Sequence, residues 1–174
     1  MRSDFVYKMF LDKEQRAKRD FLTTLPIFKG LKYQDFTYLL KNLQEHTYLK
    51  GETLFEEGDI GRALFIVISG KINLYKHTDP VSNELIATVE EGEIFGEMAL
   101  LEEMPRTATA TAAEKTRVYM LFKSKLDSIL FSEPRIGVVI THYLAQTLSA
   151  RLRAKMEAEA QLVSAKAEQN EHAK

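Results

Sequence analysis

The sequence predicts an α+β chain: an antiparallel β-roll of about eight strands, of the jelly-roll or double-stranded β-helix kind, flanked by N-terminal helices and one long C-terminal helix. Two observations predict it. Between Tyr48 and Leu121 the apolar residues alternate in short runs, punctuated by Gly51, Gly58, Gly61, Gly70, Gly92 and Gly96, the pattern of short strands joined by tight turns. On either side of that stretch the apolar spacing changes to three and four residues, the period of a helix with one buried face.

The elements follow in order. Phe5, Val6, Met9 and Phe10 recur at helical steps, and a second short helix over 20–24 is expected to stop before Pro26, because the residue ahead of a proline is pushed out of the helical region. Pro26 to Gly30 reads as a turn that plants Ile27 and Phe28 in the core, and a third helix over 33–43 carries Phe36, Leu39, Leu40 and Leu43 on one face. The opening helix is expected to pack on the third; docking of a partner through Phe5, Met9 and Phe10 is the alternative. Strands are expected over 53–55, 63–69, 71–77, 84–89, 107–112 and 117–121, with another ending at Phe95. Ser69-Gly70 and Glu91-Gly92 are read as tight connections. Helix returns over 125–131. Ser132 is expected to cap a last helix with Pro134 in its first turn, running to about Ala160, and the tail over 161–174 reads as frayed. The chain thus divides into a helical segment 1–44, a roll 45–122 and C-terminal helices 123–174.

Composition narrows the chemistry. The chain has 174 residues, 45% hydrophobic, a net charge of −1 and no cysteine. A near-neutral total does not favour nucleic-acid binding. Without cysteine there are no disulfides, thiolate zinc sites or Cys nucleophiles, which suits a cytoplasmic protein. No apolar run is long enough to span a membrane. His46, His77, His142 and His172 are too scattered for a metal site, which argues against a metal-dependent β-roll enzyme. No nucleophile elbow, P-loop or dinucleotide fingerprint is present, so no catalytic residue, cofactor or metal is expected.

One stretch carries chemistry: Phe95-Gly96-Glu97-Met98-Ala99-Leu100-Leu101, then Pro105-Arg106-Thr107-Ala108-Thr109. Gly96 permits a positive φ or a close backbone approach. A single helical turn over 97–101 would aim free N–H groups at an anion. Arg106, expected on the following strand, offers a planar fork suited to phosphate. Glu97 offers an acceptor for a ribose hydroxyl, and Thr107 a small donor. Taken singly, Arg106 could sit in a surface salt bridge and Glu97 could cap a helix; together they suit a sugar carrying a single negative phosphate.

This stretch resembles the phosphate-binding cassette of the cyclic nucleotide-binding domain family, that of the catabolite activator protein and the kinase regulatory subunits. Leu25-Pro26-Ile27-Phe28-Lys29-Gly30-Leu31, the run from Lys50 to Asp59, and Leu64 to Gly70 resemble the family's opening segment and first strands, so the likeness covers about Phe21 to Phe131. The resemblance implies that Gly96, Glu97, Met98, Ala99 and Leu100 surround the ribose phosphate. By the same likeness Glu97 accepts from the 2′-hydroxyl, Arg106 neutralises the phosphate, Thr107 bonds phosphate or purine, and Ala87 and Val89 line the base pocket. It also implies that the last helix is a lid, for which Leu148, Arg151, Leu152 and Arg153 are candidates. The stripe Leu144, Leu148, Leu152, Met156 is expected to pack on the roll, with a short homodimer contact as the alternative. The expected function is a regulatory sensor, with cAMP favoured over cGMP, signalling through the last helix to an unknown protein effector. Direct DNA binding is not expected. The alternatives are a ligand-free scaffold or a piece of a larger regulator.

Overall fold

The computed structural model describes the backbone of residues 2–77 and 83–172, and the side chains of 13–77 and 83–161. The chain opens with helix α1 (Arg2–Thr24), then a 3-10 turn (Pro26–Phe28) and helix α2 (Asp35–Asn42). Strands β1 (Gln44–Tyr48), β2 (Thr53–Phe55), β3 (Ala63–Ser69), β4 (Ile72–His77), β5 (Asn83–Val89) and β6 (Ile94–Phe95) follow. After the single turn α3 (Met98–Leu101) come β7 (Thr109–Ala112), β8 (Thr116–Phe122), α4 (Lys123–Ser132) and α5 (Pro134–His172). The strands form two four-stranded sheets in the orders β1-β8-β3-β6 and β2-β7-β4-β5, and every strand pairing is antiparallel. This is the expected roll.

Alternation decides which way each strand faces. Along β3, Leu64 and Ile66 turn to a core shared with the helices, while Ala63, Phe65 and Val67 turn into the roll. The first sheet is therefore covered on both faces, which explains why β3 reads as a continuous apolar run. The helical core joins Leu22 of α1, Ile27 and Phe28, Phe36 and Leu39 of α2, Leu126 and Ile129 of α4, and Ile136, Ile140 and Leu144 of α5. Fully burying each such aliphatic or aromatic side chain contributes about 1.5–3 kcal/mol. Gly137 lets α5 close on α4, since a Cβ there would fall 2.6 Å from the Leu130 side chain. Gly70, at φ +90°, turns β3 into β4 in a conformation that favours glycine.

Several expectations are corrected. The two opening helices are one, α1, because nothing between Lys13 and Asp20 breaks the helical register. The face through Phe5, Val6, Met9 and Phe10 lies outside the described side chains. Strand β1 was not expected: Gln44–Tyr48 lacks alternation, and its residues are mostly exposed. Its edge position beside β8 and the pairing of Glu45 with both Lys18 and Arg117 hold it. Ser132 does not cap α5. It ends α4, where its hydroxyl donates to the Ser128 carbonyl and bonds the Tyr38 hydroxyl. Helix α5 starts with Pro134 at its first position and stays helical to His172, past Ala160 and through the tail expected to fray. Its stripe packs only through Leu144 and, partly, Leu148; Leu152 and Met156 are each 60% exposed.

Candidate functional site

The site forms where β6 runs into α3 and the chain then approaches β7. A cavity of about 350 Å3 opens here, inside the second sheet. Small residues make the room. Ala108, just ahead of β7, and Ala87 and Ala99 line the cavity, leaving space where larger side chains would fill the roll.

Arg106 is held by the protein's own groups. It lies ahead of β7, not within it, where a bridge from Pro105 to Ile60 and hydrogen bonds to Gly58 and Asp59 replace strand pairing. Its Nη1 donates to the Gly96 carbonyl at 3.2 Å and its Nη2 to the Ala63 carbonyl at 2.8 Å. The guanidinium lies 4.1 Å from the centroid of the Phe55 ring, a favourable cation–π contact. Two glycines admit it. A Cβ on Gly96, at φ +68°, would fall 2.6 Å from Nη1, and one on Gly61 would fall 3.1 Å from Nε and 2.7 Å from the Ala99 Cβ. Burial lowers the Arg106 pKa, and the charges of Asp59 and Glu97 oppose that shift; a guanidinium nonetheless stays charged in a protein. Among the described residues Arg106 forms no salt bridge; its guanidinium is taken up by two carbonyls and an aromatic ring.

Glu97 is 2% exposed. It precedes α3 and makes no side-chain cap bond to that turn, so capping does not explain its burial. Its carboxylate instead pairs with Arg151 of α5, whose side chain is 58% exposed. A buried carboxylate is costly without a partner. Helix α5 thus supplies the countercharge.

The other expected residues divide. Gly96, Glu97, Met98, Ala99, Arg106, Thr107, Ala87 and Val89 all line the cavity, and so does Arg151. Leu100 does not: it turns away into the helical core. The α3 turn also has fewer free donors than expected, because the Ala99 and Leu100 N–H groups bond the Gly96 and Glu97 carbonyls. Of the other lid candidates, Leu148 and Leu152 lie outside the cavity lining, and Arg153 bonds Ser149 on its own helix. Sequence reasoning passed over Phe55, Leu74, Ile86 and Glu93, which are among the other residues of the wall. The inward parity of Leu74 on β4 was a usable signal. The bulge that leaves Ile86 unpaired between Leu85 and Ala87 was not. Among the described residues no group of His, Asp or Glu could hold a metal ion, and no helix is long and apolar enough to cross a membrane.

A model of the cyclic nucleotide-binding domain matches residues 45–133. The chain belongs to that family. Among curated cyclic nucleotide-binding relatives, the Cyclic AMP receptor protein of Thermus thermophilus is 35% identical over 74% of this chain and 57% of its own length. A cAMP-dependent protein kinase regulatory subunit of Eremothecium gossypii is 34% identical over 68% of this chain and 25% of its own. Among solved structures, the Thermus thermophilus catabolite activator protein superposes with a TM-score of 0.70 at 34% identity, over 80% of this chain and 63% of that one. A cyclic nucleotide-binding domain from Methylobacillus flagellatus reaches 0.71 at 27%, over 84% and 82%. The chain spans little more than half the length of the first curated relatives it matches.

Proposed function

We propose that this cyclic nucleotide-binding domain is a cytoplasmic, non-catalytic sensor for cAMP, in preference to cGMP, that signals through α5. The observation that carries the reading is the pairing of opposite charges around one cavity: a preset Arg106 guanidinium and a buried Glu97 carboxylate, with Arg151 of α5 drawn onto the latter. A cyclic phosphate would take the free edge of Arg106 as a charge-assisted pair. The ribose hydroxyl would donate to Glu97. The purine would lie against Ile86, Ala87, Val89, Met98 and Met104, the apolar part of a lining that also includes Thr88 and Glu93. Thr107, at the cavity, is the residue through which guanine could be held. The relatives named for cAMP support the same preference.

The ribose hydroxyl and Arg151 would share one carboxylate, so ligand entry would re-partner Glu97 and bias the position of α5. Beyond Arg151 the helix exposes Leu152 and Met156, a surface suited to a protein effector or a second copy of the chain rather than to DNA. Calorimetric titration with cAMP, cGMP and 5′-AMP tests the reading. The expected order is cAMP tightest, then cGMP, with 5′-AMP far weaker because its phosphate carries extra charge and lacks the ring. No heat and no rise in melting temperature with either cyclic nucleotide would leave a ligand-free scaffold.

A further inference from the structure

On β4, Ile72, Leu74 and Lys76 share one face by alternation, and Lys76 lies at its exposed end. Ile72 is buried in the roll and Leu74 lines the cavity, so a lysine is the odd member of that row. Its ammonium is not loose. Nζ lies 3.0 Å from Glu57 Oε1 and 3.2 Å from the carbonyl oxygen of Thr107, a cavity residue. Glu57 is held in turn. Its other oxygen accepts the His77 N–H at 2.9 Å, and its own N–H donates to the Thr109 hydroxyl at 2.9 Å. The next residues close the frame: Gly58 N–H donates to the Arg106 carbonyl at 2.9 Å, and Arg106 N–H to the Asp59 carbonyl at 2.7 Å. The stretch from Arg106 to Thr109 has no regular strand pairing until Thr109. Its backbone is therefore carried by this lacework, and Lys76 is the strut on the Thr107 side.

We propose that Lys76, held by Glu57, is a positioning residue for the anion site: it grips the Thr107 carbonyl and so sets where Thr107, next to the independently held Arg106, meets the ligand phosphate. Lys76 does not itself line the cavity, so it acts through Thr107. The inference rests on the cyclic nucleotide reading above. A site whose supporting groups are loosened loses affinity without losing its contact residues, and a hydrogen bond from a charged donor is among the stronger ones.

The test is cAMP affinity and melting temperature of the full chain for four proteins beside the wild type. Lys76→Met is expected to raise the Kd about 5- to 10-fold with little change in melting temperature, because the strut is near the surface. Lys76→Arg is expected to restore affinity to within about twofold, since it can still reach both oxygens. Glu57→Gln should give a smaller loss in the same direction, and serves if Lys76→Met folds poorly. Lys71→Met, which breaks the exposed pair with Glu90 ahead of the same strand, should leave the Kd unchanged. Unchanged affinity in both Lys76→Met and Glu57→Gln would overturn the proposal, as would failure of Lys76→Arg to restore a loss seen in Lys76→Met. A wild type that binds no cyclic nucleotide would instead overturn the functional reading on which it rests.

Discussion

Arg106 illustrates how a charged side chain is made ready at low cost. Two carbonyls and an aromatic face hold it, so little side-chain entropy is left to lose when a phosphate arrives. Lysine, a point charge, could not meet both carbonyls and the ring at once. Truncating one member of a desolvated charge pair typically costs 2–5 kcal/mol, so Arg106→Ala should weaken cAMP binding by about 100-fold, read by calorimetry on protein whose circular dichroism matches wild type. A variant that binds as tightly as wild type would remove the anion site from this cavity. Gly96, Glu97 and Arg106 stood out in the sequence through their likeness to the family's phosphate-binding cassette, and all three line one cavity. Leu100 was misplaced for a physical reason. In a one-turn helix adjacent side chains diverge by about 100°, so Ala99 can face the cavity while Leu100 faces the opposite core.

At the scale of elements, the strands with apolar alternation were legible nearly to the residue, whereas β1 and the α4–α5 junction were not. Pattern reading sees a strand that buries one face; β1 buries little and is held by its neighbour and by ion pairs on Glu45. Likewise Ser132 fits a cap by composition, but the close approach of α4 and α5 puts it at a helix end facing Tyr38. A second long-range tie fixes α5 to α2: Asp35, 7% exposed, accepts from Arg135 and from the Lys32 N–H. Burial alone would raise the Asp35 pKa, but the bonds and charges of Arg135 and Lys32 outweigh it and leave it below the usual carboxylate range. A folded-state pKa below the unfolded one means that the stabilisation is full above the unfolded value and is lost as pH falls through the folded one. Asp35→Asn should therefore cost about 2 kcal/mol at neutral pH. The gap to wild type should close as urea denaturation is repeated down to strongly acidic pH. A gap that stayed constant with pH would mean that packing, and not the ion pair, accounts for the loss.

For the whole molecule, the first sheet separates two cores: the helices lie on one side and the cavity on the other. Communication between ligand and helices must cross or bypass that sheet. Two connections bypass it. Leu100 ties the α3 turn into the helical core, and Arg151 ties α5 to Glu97. The first resists separation of cassette and helices, since pulling a buried leucine out forfeits its burial. The second is electrostatic, and on the proposed reading it is exchangeable, because a ribose hydroxyl would replace part of it. Ligand binding should thus stabilise the roll while loosening the Arg151 hold on α5, leaving its Arg135–Asp35 pair and its Ile136, Ile140 and Leu144 contacts in place. At 100 times its Kd, a ligand that binds only the folded state adds about 2.7 kcal/mol, equivalent to a rise of roughly 5–10 °C in melting temperature for a domain of this size. Arg151→Met separates the two effects, since it leaves Arg106 in place. Its ligand-free form should exchange the amide hydrogens of residues 148–158 several-fold faster than wild type, while cAMP should still raise its melting temperature. Wild-type-like exchange in that segment would show that the Arg135–Asp35 pair and the Ile136, Ile140 and Leu144 contacts hold α5 without Arg151, and the signal would then have to pass through Leu100.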